Sequence, residues 1–146
     1  MCPKLFSSRL NTSASIGVLF LRLVAGSAFM LHGWPKIQHA FNWMGPESPI
    51  PSFFQALAAI SEFGGGLAWI LGLLTPLASL GLISTMTVAV YFHASKGDPF
   101  VSMGGPSFEP ALVYLAVAIL FLLAGPGKFS LDAYFCGKNQ KTEEAK

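Results

Sequence analysis

The sequence predicts an all-α integral membrane four-helix bundle with both termini on the cytoplasmic side, and three observations carry that reading. Hydrophobic residues make up 53% of the 146 residues and charged ones only 11%, with 13 Phe and a mean hydropathy of +0.57. A soluble domain runs about 25% charged. Four apolar stretches approach the roughly 20 residues that cross about 30 Å of hydrocarbon. Lys4, Arg9, Lys128, Lys138, Lys141 and Lys146 lie on the side of the termini, against Lys36 and Lys96 opposite. Lys and Arg concentrate in cytoplasmic loops, so both termini and the short central turn are expected inside.

The first span is expected from Ala14 to about Trp34, ending at His32-Gly-Trp-Pro35. It is long enough to cross, which argues against a cleaved secretory signal. The second runs from Phe53 to Leu74 and the third from Leu77 to about Ser95, separated by Thr75-Pro76. Gly72-Leu-Leu-Thr-Pro76 reads as a tight hairpin turn, with Pro76 suited to the first turn of a helix. The fourth span, Pro110 to about Pro126, is the shortest and most uniformly apolar.

Two longer loops remain, Lys36 to Ser52 and the Gly/Pro-rich Lys96 to Glu109, in which Ser52 and Ser107 are candidate helix caps. Trp34, Trp43, Tyr91 and Phe100 fall near the outer interface, where aromatic belts form. The chain thus divides into an N-terminal cytoplasmic segment (1–13), a four-helix domain (14–135) and a polar C-terminal tail (136–146), expected to be disordered after Lys138.

Composition limits the function classes. A formal charge of +2 and the lack of a basic stripe with interleaved aromatics argue against nucleic acid. The two cysteines, Cys2 and Cys136, lie near opposite termini on the expected reducing side, so no structural disulfide is expected. The same spacing disfavours a thiol–quinone reductase. No zinc spacing occurs, and no haem, flavin or iron–sulfur signature is evident. Electrons in any redox role would therefore come through a partner.

Arg22 stands inside the first apolar run and Glu62 inside the second. A charge at the bilayer centre costs roughly 2.5–3.5 kcal/mol on insertion scales, so it normally faces the bundle interior and a partner. At 100° per residue Arg22, Gly26, Phe29, Gly33 and Lys36 share one stripe, with His32 beside it. Gln55, Glu62, Gly66 and Trp69 share a face of the second span. The glycines allow close helix approach. At 1.5 Å per residue Arg22 lies roughly 15–18 Å, and Glu62 roughly 12–14 Å, below the outer ends of their spans. These depths predict an Arg22–Glu62 pair, which either locks two helices together or organises a functional site.

A second polar group gathers at the outer end. His32 ends the first span, His93 the third, and Glu109 begins the fourth. His93 lies on a stripe with Ser79, Leu82, Met86 and Ala89. These residues are either interfacial polar groups or a vestibule with Arg22, Lys36 and Glu62 that relays protons to a quinone head group. A metal is the weaker option, because no helix carries two ligands at His-x-x-His or Glu-x-x-His spacing. His39, Lys96 and Asp98 read as ordinary helix-end polar residues. No catalytic residue can be assigned.

Three segments together resemble the DoxX family of small bacterial four-helix membrane proteins. They are Arg22-Leu-Val-Ala-Gly26 through His32-Gly33-Trp-Pro-Lys36, Glu62-Phe-Gly-Gly65-Gly66 through Leu71-Gly72-Leu-Leu-Thr75-Pro76, and Gly125-Pro-Gly127-Lys-Phe-Ser-Leu-Asp132. Lys128 stands where many relatives have Arg. The resemblance implies a bacterial inner-membrane, multi-pass protein linked with oxidoreductase systems and acting with a protein partner. It supplies no catalytic residue set.

On this basis a quinone- or redox-linked subunit is the first expectation, with quinone or quinol as its possible ligand. A non-enzymatic scaffold or assembly factor for a soluble redox partner is the second. A small-molecule or ion transporter is the third; it calls for a homodimer, with the fourth helix as an available interface, and no inverted repeat or broken helix supports it.

Overall fold

A computed structural model describes residues 10–136. The helices are α1 (Thr12–Gln38), α2 (Ser52–Leu71), α3 (Thr75–Ser95) and α4 (Glu109–Ala124). A further helical turn covers 131–136. The described residues contain no strand, and each helix packs antiparallel on its neighbour in the chain. α1, α2 and α3 are long and apolar enough to cross a membrane, while α4 is a shorter apolar helix of 16 residues. Large side chains such as Phe20, Leu31, Ile60, Leu77 and Leu123 are exposed around the bundle. That surface suits hydrocarbon and not water.

α1 begins where the Asn11 side chain accepts a hydrogen bond from Ala14 N at 2.8 Å. Its far end departs from the expectation, because the helix passes through Pro35 and stops at Gln38. Pro35 lacks only the donor for one carbonyl a turn back, a small loss within the last turn. α2 ends at Gly72, whose φ of 63° is left-handed and whose N–H reaches the carbonyls of Ala68 and Trp69. Leu74 is also left-handed (φ 51°), and Pro76 occupies the first turn of α3 as expected. Neither serine caps a helix as anticipated: Pro51 and Phe108 hold those positions without side-chain capping bonds.

The interior is aromatic and small-residue rich. Phe29 meets Trp69 edge to face at 5.4 Å and Tyr114 at 4.8 Å, and Trp69 meets Phe121 at 4.7 Å. Trp69 Nε1 donates to Ser79 Oγ at 3.1 Å, satisfying its polar end. Ala25, Leu82, Met86 and Ala118 complete this core. The predicted α1 and α2 faces are the buried ones: Arg22, Gly26, Phe29 and Gly33 on one, Gln55, Glu62, Gly66 and Trp69 on the other. On α3 the predicted stripe is buried from Ser79 to Met86 and emerges at Ala89 and His93.

Cys136 is buried and disulfide-bonded, contrary to the expectation of reduced thiols. It ends the turn 131–136, whose Asp132 bonds to the α2–α3 turn. The other cysteine, Cys2, the rest of 1–9, and 137–146, which includes the stretch after Lys138 expected to be disordered, lie outside the described residues.

Candidate functional site

The charged residues of the seam form two separate clusters, and the predicted Arg22–Glu62 pair is not among their contacts. Glu62 pairs with Lys36, whose Nζ donates to Oε1 at 2.6 Å and to Oε2 at 2.7 Å. The register explains the correction. Gly33 lies against Phe63, and from that crossing α1 climbs five residues to Gln38, about 7 Å, whereas α2 climbs eleven to Ser52, about 16 Å. An Arg22–Glu62 pair requires the ends of α1 and α2 to lie at one level. They are not level, so Glu62 meets Lys36, fourteen residues beyond Arg22 on α1.

The cluster nearer the α1–α2 loop is built around that pair. The Glu62 side chain is only 4% exposed and that of Lys36 24%. The α1–α2 loop folds over them and places Lys36 Nζ 4.5 Å from the centre of the Trp43 ring, a cation–π contact. Trp43 Nε1 donates to Gln55 O at 2.9 Å. Gln55 is buried, accepts from Met44 N at 3.1 Å and donates to Ile50 O at 2.8 Å. A carboxylate, an ammonium and a flat aromatic face are thus held together in the half of the bundle nearer the α1–α2 loop. Chemically the group offers an ammonium donor beside an aromatic face, which can hydrogen-bond an uncharged ring oxygen.

The cluster nearer the α2–α3 turn belongs to Arg22, which is 1% exposed. Its Nε donates to Trp69 O at 2.7 Å and its Nη2 to Ile70 O at 3.0 Å. Its Nη1 reaches Pro126 O and Phe129 O, each at 2.9 Å. The first two carbonyls belong to the last turn of α2, which has no further helical N–H to offer them. A guanidinium there satisfies those acceptors and opposes the negative helix end.

Asp132 does the converse for α3. Its Oδ1 accepts from Leu74 N and its Oδ2 from Thr75 N, both at 2.8 Å, while its own N–H donates to Gly72 O at 2.8 Å. One acid and one base therefore clamp the α2–α3 turn to the Gly125–Asp132 segment. Gly72 must lack a side chain, since a Cβ there would lie 2.6 Å from Arg22 Cζ. Lys128 donates through Nζ to Thr12 Oγ1 at 3.3 Å. Thr75 Oγ1 is buried beside this clamp with no hydrogen-bond partner.

The remaining predicted site residues are dispersed. His32 is exposed on α1. His93 Nδ1 lies 2.7 Å from Asp98 Oδ2, closing the end of α3 onto its own loop. Glu109 is half-buried in the first turn of α4, and its backbone N donates to Phe100 O at 3.1 Å. Of the six candidates, only Lys36 and Glu62 touch. Among the described residues no three His, Cys, Asp or Glu gather as a metal site would need.

Sequence reasoning placed Gln55 on the buried face but missed its hold on the loop, and gave Asp132 no role. A signal for Asp132 existed: Leu73-Leu-Thr-Pro76 offers no Ser, Asp or Asn to cap α3, so an acid must come from elsewhere.

Comparison with known proteins places this geometry in a family. The DoxX family model matches residues 17–95, the stretch holding Arg22, Lys36 and Glu62. Inner membrane protein YqjF of Escherichia coli K12 is 32% identical over 124 residues, covering 80% of this chain and 90% of its own. CatD of Bacillus subtilis 168, named as a putative oxidoreductase, is 32% identical over 136 residues, 88% of this chain and 95% of its own. An uncharacterised membrane protein of Mycobacterium tuberculosis H37Rv is 28% identical over 84% of this chain and 83% of its own. No solved structure matches the chain significantly.

Proposed function

The chain belongs to the DoxX family of multi-pass membrane proteins, and from that premise we propose that it is a redox-linked inner-membrane subunit acting with a protein partner. Its own contribution is proton exchange with a quinone or quinol at Lys36 and Glu62. The observation that carries this reading is a fully paired carboxylate and ammonium in an apolar seam, roofed by an indole ring. A buried ion pair is a poor source of stability, because desolvation offsets most of the Coulombic gain. A proton-exchanging role gives the pair a use that packing alone does not.

Quinol oxidation delivers two electrons to the partner's redox centre and releases two protons. Glu62 accepts these one at a time; for each, the Lys36 ammonium, the more exposed of the two, first releases a proton outward and is then reprotonated by the Glu62 carboxyl. Trp43 supplies a face on which a quinone ring stacks. The printed name of CatD supports a redox setting.

Titrating a short-chain quinone into the protein in lipid nanodiscs, with tryptophan emission as readout, tests this. Saturable quenching that is lost in Glu62→Gln and Lys36→Met is expected. Unchanged emission, together with unchanged quinone reduction in native membranes, would sink the reading.

A scaffold role for a soluble redox partner is the second reading, and the aromatic filling of the interior favours it. Phe29, Trp69, Tyr114 and Phe121 leave the bundle centre closed, and Arg22 is engaged by backbone. A partner that co-purifies equally well with Glu62→Gln and His32→Ala supports the scaffold over the quinone site.

The charge asymmetry supports cytoplasmic termini, with Lys36 and Glu62 toward the outer leaflet. The disulfide at Cys136 argues the other way, since such bonds persist on oxidising sides. A C-terminal reporter active only in the cytoplasm decides between them.

A further inference from the structure

The loop between α1 and α2 is held to α2 through one residue. It folds on itself as successive tight turns, Asn42 N to His39 O at 2.9 Å, Gly45 N to Asn42 O at 2.9 Å and Ser48 N to Gly45 O at 3.3 Å. Its ends are His39, the C-cap of α1, and Pro51, the N-cap of α2. Apart from the helix-starting bonds to Pro51 O, each described hydrogen bond from this loop to α2 uses Gln55. Trp43 Nε1 meets its carbonyl, Met44 N its Oε1, and Ile50 O its Nε2.

Gln55 is 3% exposed, an unusual place for an amide in a membrane helix. A buried amide is costly unless it is hydrogen-bonded, and here its bonds go to the loop and not to another helix. What they fix is the Trp43 ring, 4.5 Å above Lys36 Nζ. The loop therefore closes over Lys36 and Glu62 as one piece and can lift as one piece once three hydrogen bonds part.

We propose that residues 39–51 form a lid over the Lys36–Glu62 pair, with Gln55 as its latch, so that Gln55 is a positioning residue setting when the pair meets a ligand. The ligand rests on the quinone reading; the lid does not, and it can be tested without any quinone. Gln55 acts through Trp43 and Lys36 and touches no ligand itself.

The test labels the full-length protein in nanodiscs with an amine-reactive reagent and maps the modified lysines by mass spectrometry. Lys36 in the native protein should react slowly against Lys96 and Lys128. Gln55→Met keeps helix and bulk but removes both side-chain bonds to the loop, and should raise the Lys36 rate on the order of tenfold, the factor that about 1.4 kcal/mol gives. Trp43→Phe keeps a ring and drops one bond, and should give a smaller rise, so the idea stays testable if Gln55→Met fails to fold. An unchanged Lys36 rate in both variants overturns the lid, as does a rise shared equally by Lys96 and Lys128, which signals general loosening. Faster Lys36 labelling without any quinone-dependent quenching leaves the lid standing and removes the quinone.

Discussion

Gly26 and Gly66 meet across the α1–α2 seam so closely that a Cβ on either would lie 2.7 Å from the other's carbonyl oxygen. Gly33 is tighter still, with the Cβ position 2.5 Å from Phe63 N. Backbone, and not a flexible side chain, occupies the space in each case. The seam exists because these positions are glycine, and in lipid such close packing is a main source of helix association.

Gly26→Ala should therefore separate α1 from α2 or shift their register, at a cost of about 1–3 kcal/mol for overpacking. Gly64→Ala, whose Cβ meets nothing within 4 Å, is the matched control. Thermal unfolding in detergent should show a clear loss for the first and none for the second. Equal midpoints would mean that the seam can widen freely.

Arg22→Lys should destabilise strongly although it keeps the charge. An ammonium has three donors and no planar fork, while four carbonyls on two chain segments await it. The expected loss is about 3 kcal/mol, given that each orphaned buried acceptor costs about 1–3 kcal/mol. Denaturant midpoints, with hydrogen exchange at the α2–α3 turn, measure it. Native-like protection in Arg22→Lys would show that the carbonyls find water instead.

Glu62→Gln and Lys36→Met each leave one charge stranded in the seam, and each should cost stability by up to roughly 3–5 kcal/mol, less for the partly exposed Lys36 side. The double variant removes both charges and should recover most of the loss. This inequality, read from a double-mutant cycle in nanodiscs, separates a coupled pair from two independent polar residues. Additive losses would contradict the pairing.

Thr75→Val should be neutral or stabilising by about 1 kcal/mol, because it deletes a buried hydroxyl that has no partner and preserves shape. The N–H bond from Thr75 to Asp132 is backbone and survives. If the variant is stable but loses partner binding or quinone response, the hydroxyl has a role outside the resting fold. A large loss of stability would mean that it is hydrogen-bonded after all.

The class, the four helices and the buried faces of α1 and α2 were legible because hydropathy and the 3.6-residue period determine them locally. The partner of Arg22 was not. Choosing between Glu62 and the α2 carbonyls requires the relative height of two helices, which depends on where a helix tolerates Pro35 and on which glycines meet. Gln55 and Asp132 were hidden for the same reason, since each serves a backbone group distant in sequence: Asp132 caps a helix that starts fifty-seven residues earlier. Local patterns show that a helix lacks a cap but not which residue supplies it.

On α1 the ring of Phe29 stands midway between Arg22 and Lys36, seven residues from each, about 10 Å along the axis. With Trp69, Tyr114 and Phe121 around it, that level of the bundle is an insulating layer between two charged ends. Among the described residues, no hydrogen bond links Glu62 across this layer to Arg22. On the proton-exchange reading, protons released at the pair stay on the side of the α1–α2 loop, and the pair itself carries none across the bilayer.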